Sequence, residues 1–245
     1  GGQIGVYAIT TDAYGNGTVQ NASVNNVTIT GGSTTGDVGV KVYSHQSGLA
    51  SSLTVTNNCS ISGYDNGILA EGDDASVTVT NNLTTITGNQ VGIRVKEGAD
   101  LASVTGNTIT NNTHGGIVIE STAGIIDIIN NNTISGNGYT VDATHGLGLK
   151  NDKTSQVNAE NNWWGSASGP FNDPYNTCGL GNAVVGPVDF IPWWTTETGN
   201  PGSDMLVYNV DKGTYYCKIQ DAIDDADANQ TIQVSPGTFY EALTI

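Results

Sequence analysis

Positive charge is almost missing from this chain. Lys and Arg together number 7 against 23 Asp and Glu in 245 residues, a formal net charge of −16, and Arg94 is the one arginine. Such a surface repels nucleic acid and anionic membranes, so neither is expected as a partner. It suits cation binding or an extracellular setting. No apolar run is long enough to span a bilayer, which argues against membrane insertion, and no signal peptide is visible. The chain starts at Gly1-Gly2, in mid-pattern, as a mature, excised or partial chain would. Three cysteines cannot all pair with one another. Cys59 shares its parity with an inward Ile61 and is expected to be a buried free thiol. Cys178 and Cys217, both in the C-terminal third, are candidates for one disulfide.

What the chain has instead is a repeat. Gly92-Ile93-Arg94-Val95-Lys96 recurs in altered form at Gly5, Gly39, Gly67, Gly116 and Gly146. Successive glycines are 34, 28, 25, 24 and 30 residues apart, a period that belongs to solenoids. In each copy the first and third residues after Gly are apolar and share one side of a strand. Stacking the copies predicts two inward columns, Val6, Val40, Ile68, Ile93, Ile117, Leu147 and Ala8, Val42, Ala70, Val95, Ile119, Leu149. A second strand family at constant phase contains Thr28-Ile29-Thr30, Ser60-Ile61-Ser62, Thr85-Ile86-Thr87, Thr108-Ile109-Thr110 and Thr133-Ile134-Ser135. Most of these follow an asparagine (Asn26, Asn58, Asn82, Asn107, Asn132), a residue that tolerates left-handed turns and can hydrogen-bond its own copy one coil away. Half-turns of ten to thirteen residues leave no room for crossover helices. The expected fold is all-β, a right-handed parallel β-helix with one strand per coil on each of two faces.

Residues 1–165 carry the coils. Residues 166–204 are turn-rich, and the pairs Trp163-Trp164 and Trp193-Trp194 are placed to cover the open end of the apolar column. Residues 205–245 change register. Met205 to Val210 reads as a strand, Ile219, Ala222, Ile223 and Ala226 mark a short capping helix, and 231–245 read as strands of a first coil.

Two segments carry a family resemblance. Asn161-Asn162-Trp163-Trp164-Gly165, through Gly169-Pro170 to Val188-Asp189-Phe190, resembles the way short β-helix repeats end. Tyr215-Tyr216 with Ile219-Gln220-Asp221-Ala222-Ile223-Asp224, then Thr231-Ile232-Gln233-Val234-Ser235-Pro236-Gly237-Thr238, resembles the way they begin. The chain thus resembles the pectin-lyase-like superfamily, nearest to archaeal and bacterial surface proteins with parallel β-helix repeats. The beginning-like piece follows the ending-like piece, as in one period cut from a tandem array or a subunit that meets its neighbour end to end.

The superfamily includes polysaccharide lyases and hydrolases, and Arg94-Val95-Lys96 faintly resembles the Arg-x-Lys of polygalacturonases, but the Asn-Thr-Asp and Gly-His-Gly motifs of that family are missing. The stacked alignment explains the charges as an outward ladder of Glu71, Lys96, Glu120 and Lys150, whose opposite signs attract across neighbouring strands. No catalytic residue is expected. His114 and His145 (with His45 in an earlier coil) read as hydrogen-bonding turn residues. No cofactor is expected, with Ca2+ at Asp73, Asp74 and Asp100 the one case to test. Sequons at Asn16, Asn21, Asn26, Asn58, Asn82, Asn111, Asn131 and Asn229 are candidate glycan sites. Thr-x-Thr pairs (Thr28/Thr30, Thr54/Thr56, Thr78/Thr80, Thr108/Thr110) are similar to those of ice-binding β-helices, which need a flat aligned array; the Gly, Asn and Ser interruptions argue against one. The sequence reading is therefore an extracellular, cell-surface structural protein, a unit of a surface layer, sheath or filament. Its partner would be a second copy, stacked head to tail through Ile4 at one end and Thr231, Ile232, Val234, Leu243 and Ile245 at the other. A polysaccharide-active enzyme or glycan-binding adhesin is the alternative.

Overall fold

The computed structural model describes the chain apart from residues 1–3, 11–19, 33–34, 45–49, 81–82, 139–140, 142–143, 200–206, 236–238 and 240. It is a right-handed parallel β-helix with three sheets where the sequence predicted two faces. Sheet A contains Ile4–Thr10, Val38–Ser44, Asn66–Glu71, Val91–Lys96, Gly115–Ile119, Leu147–Asn151 and Ala183–Val185, in that spatial order. Sheet B stacks Gln20–Asn25, Ser51–Thr56, Ala75–Thr80, Asp100–Thr105 and Ile129–Asn130. Sheet C stacks Thr28–Thr30, Ser60–Ser62, Thr85–Thr87, Thr108–Thr110 and Thr133–Ser135.

The third side comes from the corners. Two to four residues separate each sheet B strand from the sheet C strand that follows it. The last but one of these corner residues is left-handed: Asn26 (φ 50°), Asn58 (53°), Leu83 (84°), Gly106 (71°), Asn131 (57°) and, in the final coil, Asn161 (56°). A left-handed residue bends the chain sharply, so a strand continues on a new face. From the second coil on, the residue after it points inward, giving the column Cys59, Thr84, Asn107, Asn132, Asn162, all buried. The corner between sheets C and A repeats the device with Gly63, Gly88, Asn111 and Gly136 at positive φ, followed by Tyr64, Asn89, Asn112 and Asn137 inside.

Those inward asparagines form two amide ladders. Asn89 Nδ2 donates to Ile61 O at 3.1 Å, Thr87 O at 3.2 Å and Asn112 Oδ1 at 3.1 Å. Asn112 repeats the pattern toward Asn137, and Asn137 toward Asn182. In the other corner Asn107 donates to Asn132 Oδ1 (3.2 Å) and Asn132 to Asn162 Oδ1 (3.0 Å). Cys59 occupies the equivalent place two coils before Asn107, its Sγ facing the Thr56 and Val24 carbonyls at 3.2 and 3.6 Å. It is a buried free thiol.

The ladder also explains the repeat glycines. A Cβ on Gly92 would lie 2.5 Å from Gly116 O and 3.0 Å from both Asn112 Nδ2 and Ile109 Cγ2. Close stacking, rather than an unusual φ, reserves these positions for glycine. Val40, Ile68, Ile93, Ile117 and Leu149 are fully buried along sheet A. The last member differs from the predicted Leu147: Ile117 pairs with Leu149, because Gly148, not Gly146, stacks on Gly116.

The coils run past residue 165. Residues 166–182 form an excursion, after which Ala183–Val185 rejoins sheet A and Val188–Asp189 pairs with Val157–Asn158. One Trp of each pair, Trp164 and Trp193, is buried with Phe190 against the coil end. Beyond it, Val207–Asn209 pairs antiparallel with both Thr214–Tyr216 and Ile232–Val234. The helix Ile219–Asp225 packs on this sheet, burying Ala222. Ile232 and Val234 are thus strand residues of a small antiparallel unit. They do not lie in a parallel first coil, a correction to the sequence reading. The cause is local: the hairpin and helix satisfy the strand's hydrogen bonds within 30 residues, whereas a coil needs a neighbour. Cys178 and Cys217 form a disulfide (Cα–Cα 5.4 Å) that ties this unit to the excursion.

The ladder has a defect that a mutation tests. Asn107 Oδ1 and Thr84 Oγ1 are buried with no partner among the described residues, because Thr84 has no amide to offer the next coil. Thr84→Asn is expected to supply the missing donor and stabilise the fold by about 1 kcal/mol, seen as a rise of about 2–4 °C in Tm. Asn132→Leu should lower Tm by more than that, since it strands donors and acceptors in both neighbouring coils.

Candidate functional site

Outward side chains of sheet A collect most of the chain's cations. Lys41 Nζ lies 3.0 Å from Glu71, and Lys96 Nζ lies 3.7 Å from the same carboxylate and 3.0 Å from Glu97. Arg94 pairs with Glu120 at 3.1 Å. Lys41 also stands over the rings of Tyr43 and Tyr7, at 5.0 and 5.7 Å from their centroids.

The predicted single ladder is therefore two interlocked columns. Tyr43, Glu71 and Lys96 fall in one register column, and Lys41, Leu69, Arg94, Val118 and Lys150 in the next. Lys150 left its expected place beside Glu120 through the two-residue register change at Gly148, and binds Asp152 at 2.9 Å. Burial works against the charge on Lys96, but the Glu97 hydrogen bond and the nearby Glu71 and Glu120 carboxylates hold its pKa above the usual lysine value. The same hydrogen bond holds the Glu97 carboxyl below its usual range.

A groove of about 450 Å³ crosses this face, lined by Arg94, His114, Val118, Leu147, Lys150 and Val185 among others. A second of about 440 Å³ adjoins it through Val141 and Val185 and reaches Phe171 and Tyr175. Arg94 and Lys150 are both engaged by carboxylates, so the groove has no excess positive charge with which to seize a polyanion. His114 and His145, paired in the sequence by their place before a glycine, each meet the preceding threonine hydroxyl through Nδ1, Thr113 at 3.1 Å and Thr144 at 2.9 Å, and His145 also stacks on Phe171 with centroids 4.1 Å apart.

The acidic trio is not gathered into one site. Asp73 and Asp74 are exposed at a turn, while Asp100 Oδ1 accepts from Ile125 N at 2.6 Å. Six of the sequon asparagines, Asn21, Asn26, Asn58, Asn111, Asn131 and Asn229, are exposed, five of them at positive φ. Asn16 and Asn82 lie outside the described residues. At the termini Ile4 is 39% exposed, Val234 38%, Leu243 48% and Ile245 109%, with Thr231 exposed and Ile232 half-buried.

Sequence reasoning missed the outward face of sheet C. Thr28, Ser60, Thr85, Thr108 and Thr133 form one column, and Thr30, Ser62, Thr87, Thr110 and Ser135, two residues further along each strand, form another. The Thr-x-Thr signal was visible; the unbroken register was not.

Two expectations follow from the charges. Glu71→Lys puts three cations in contact across neighbouring strands and should lower Tm, with the loss shrinking in high salt; Glu71→Gln should cost about 1 kcal/mol or less. In the C-terminal unit, hydrogen bonds from Tyr216 and then Lys212 hold Asp225 below the usual carboxylate range. A depressed carboxylate stabilises the fold above its unfolded value, and that contribution is lost as pH falls through the folded value. Thermal stability should therefore drop as pH falls below about 4, and Asp225→Asn should flatten that limb of the Tm-against-pH curve.

Comparison with curated proteins and with solved structures gave no match. Residues 2–171 match the family described as periplasmic copper-binding protein (NosD). Copper needs clustered His, Cys, Met or carboxylate donors. Among the described residues no group of three or more His, Cys, Asp or Glu is arranged to hold a metal. Two cysteines are consumed in the disulfide and the third is enclosed in the core. The described residues thus do not fit a copper centre; His45 and Met205 lie outside them. The match takes in the stacked coils from the first strand of sheet A into the excursion, well over half of the sequence, and the chain belongs to the NosD family.

Proposed function

We propose that the chain is an exported, non-enzymatic structural β-helix that stacks head to tail with copies of itself at the cell exterior. The observation that carries this reading is the inequality of the two ends. One end of the coil column is closed by Trp164, Phe190 and Trp193 and carries the disulfide-tied C-terminal unit. At the other, Ile4–Thr10, Gln20–Asn25 and Thr28–Thr30 are each the outermost strand of their sheet. An outermost strand offers a row of backbone donors and acceptors to another chain.

The C-terminal unit exposes the apolar Leu243 and Ile245. A copy placed with these side chains over the open rim would cover both surfaces. Because the surfaces are unlike, the contact repeats and gives a fibre or large ring, where a two-fold dimer would stop. The family's periplasmic description supports a site outside the cytoplasm, as does the disulfide, which persists in oxidising compartments. Glycans on the exposed sequons and membership of a surface layer or sheath belong to the same proposal.

Sedimentation velocity and electron microscopy over a range of concentrations test it. The intact chain is expected to form progressively longer species. Leu243→Asp/Ile245→Asp, at positions the fold leaves exposed, should remain short with an unchanged Tm. A chain that stays monomeric at every concentration sinks the reading.

A further inference from the structure

The second groove on the sheet A face is built differently from the first. It opens between Ala183–Val185, the last strand of the sheet, and the excursion before it. Phe171, Asn172, Asp173 and Tyr175 line it from the excursion, with Val141 and Val185 among its apolar residues. Its volume of about 440 Å³ is enough for a small molecule. Charge also separates the two grooves. The cations of the first, Arg94 and Lys150, are paired with Glu120 and Asp152. In the second, the exposed Asp173 carboxylate has no hydrogen-bond or ion-pair partner among the described residues. The charge left unbalanced is therefore negative, in a chain of net charge −16.

Next to Asp173 is an acceptor without a donor. Asn172 is 5% exposed. Its Nδ2 donates to Val184 O at 2.8 Å, its backbone N–H donates to Asn176 O at 3.1 Å, and its backbone O accepts from Asn176 N at 2.7 Å. Oδ1 alone has no partner. A buried acceptor left unsatisfied is costly, and one on a residue that lines a cavity marks the place of a missing donor. The other walls are aromatic. Tyr175 is 52% exposed and meets the Tyr215 ring edge-on, with centroids 5.6 Å apart. Phe171 is held by the stacked His145 ring. The excursion needs no ligand to fix its shape: Asn176 Nδ2 donates to Ser168 O at 2.9 Å and Pro170 O at 2.8 Å, and Cys178 is tied to Cys217. A preformed wall loses little entropy when a ligand arrives.

We propose that this groove binds a small organic cation, a primary ammonium carried on an apolar or aromatic body. The ammonium donates to Asn172 Oδ1 and to the Asp173 carboxylate, and the body lies against Val141, Val185 and the two rings. Aromatic faces attract a cation placed over them. Each feature rejects a different competitor. Asp173 repels an anion, and the orphaned acceptor has no proton to take from a quaternary ammonium. Two side-chain oxygens are too few to replace the water around a bare metal ion. All the lining residues belong to one chain, so the site does not depend on head-to-tail stacking.

Titration calorimetry of the full chain tests this, with phenethylammonium as the probe beside phenethyl alcohol, hydrocinnamate, tetramethylammonium and cellobiose. The probe is expected to bind at one site, about tenfold more tightly than any of the other four, because it alone supplies a charged N–H donor. Asp173→Asn and Tyr175→Ala, both at exposed positions, should each weaken it about threefold while Tm stays unchanged. Asp127→Asn, outside the groove, should leave the affinity as it is. Equal affinity for the probe and phenethyl alcohol overturns the proposal, as does binding that both groove substitutions leave unaltered. So does tighter binding of cellobiose, which would make the groove a sugar site. Absence of probe binding, by heat and by ligand-detected NMR at the highest soluble concentration, overturns it as well.

Discussion

Each coil of this solenoid has to turn two corners inside a few residues without leaving buried backbone groups unpaired, and stacked asparagines solve that problem. One amide Nδ2 donates to carbonyls of its own coil and of the coil before it, and to the next amide, so each rung depends on its neighbour. A buried network of this kind is stabilising only when complete. The rest follows from it. The repeat glycines are small because the Asn side chain and the next backbone occupy the space a Cβ would take. The left-handed residues before the ladder positions are Asn or Gly because few others accept that conformation. Leu83 adopts it as well, next to the incomplete rung at Thr84.

With the interior given over to amides and aliphatic side chains, chemical individuality is left to the outward columns, and the three sheets use theirs differently. Sheet A holds its cations in short ion pairs with Glu71, Glu120 and Asp152. Opposite charges in adjacent strands favour the correct register and penalise a slipped one. Sheet C carries Thr or Ser and no charge in its two outward columns. The fold supports both surfaces without changing its core.

Family membership and site chemistry point in different directions here. The NosD description names copper, yet the described donors are dispersed or already committed. A fold is set by the coil pattern, whereas a metal centre needs a few side chains converging at one point, so matching the family's coils does not by itself supply the centre.

The sequence alone determined the parallel β-helix, because a recurring Gly followed by alternating apolar residues admits few other packings. It also determined the inward burial of Cys59, whose parity with Ile61 is a local fact. The short helix near the C-terminus was legible from the spacing of Ile219, Ala222 and Ile223. Tertiary structure decided the number of sheets: the recurrent asparagines mark left-handed turns, but only the stacked coils show that the chain bends there onto a third face and does not simply reverse between two. It decided the register of the last coil too: Gly146 and Gly148 are equivalent as letters, and only stacking against Gly116 distinguishes them, which is why Lys150 moved away from Glu120. The pairing of Ile232–Val234 with Val207–Asn209 was hidden for a related reason. Both segments read as strands, and the choice between a parallel coil and an antiparallel hairpin depends on which partner lies within reach. The outward columns of sheet C were half visible, as Thr-x-Thr pairs; whether they align is a property of five coils held at once, and no single strand carries it.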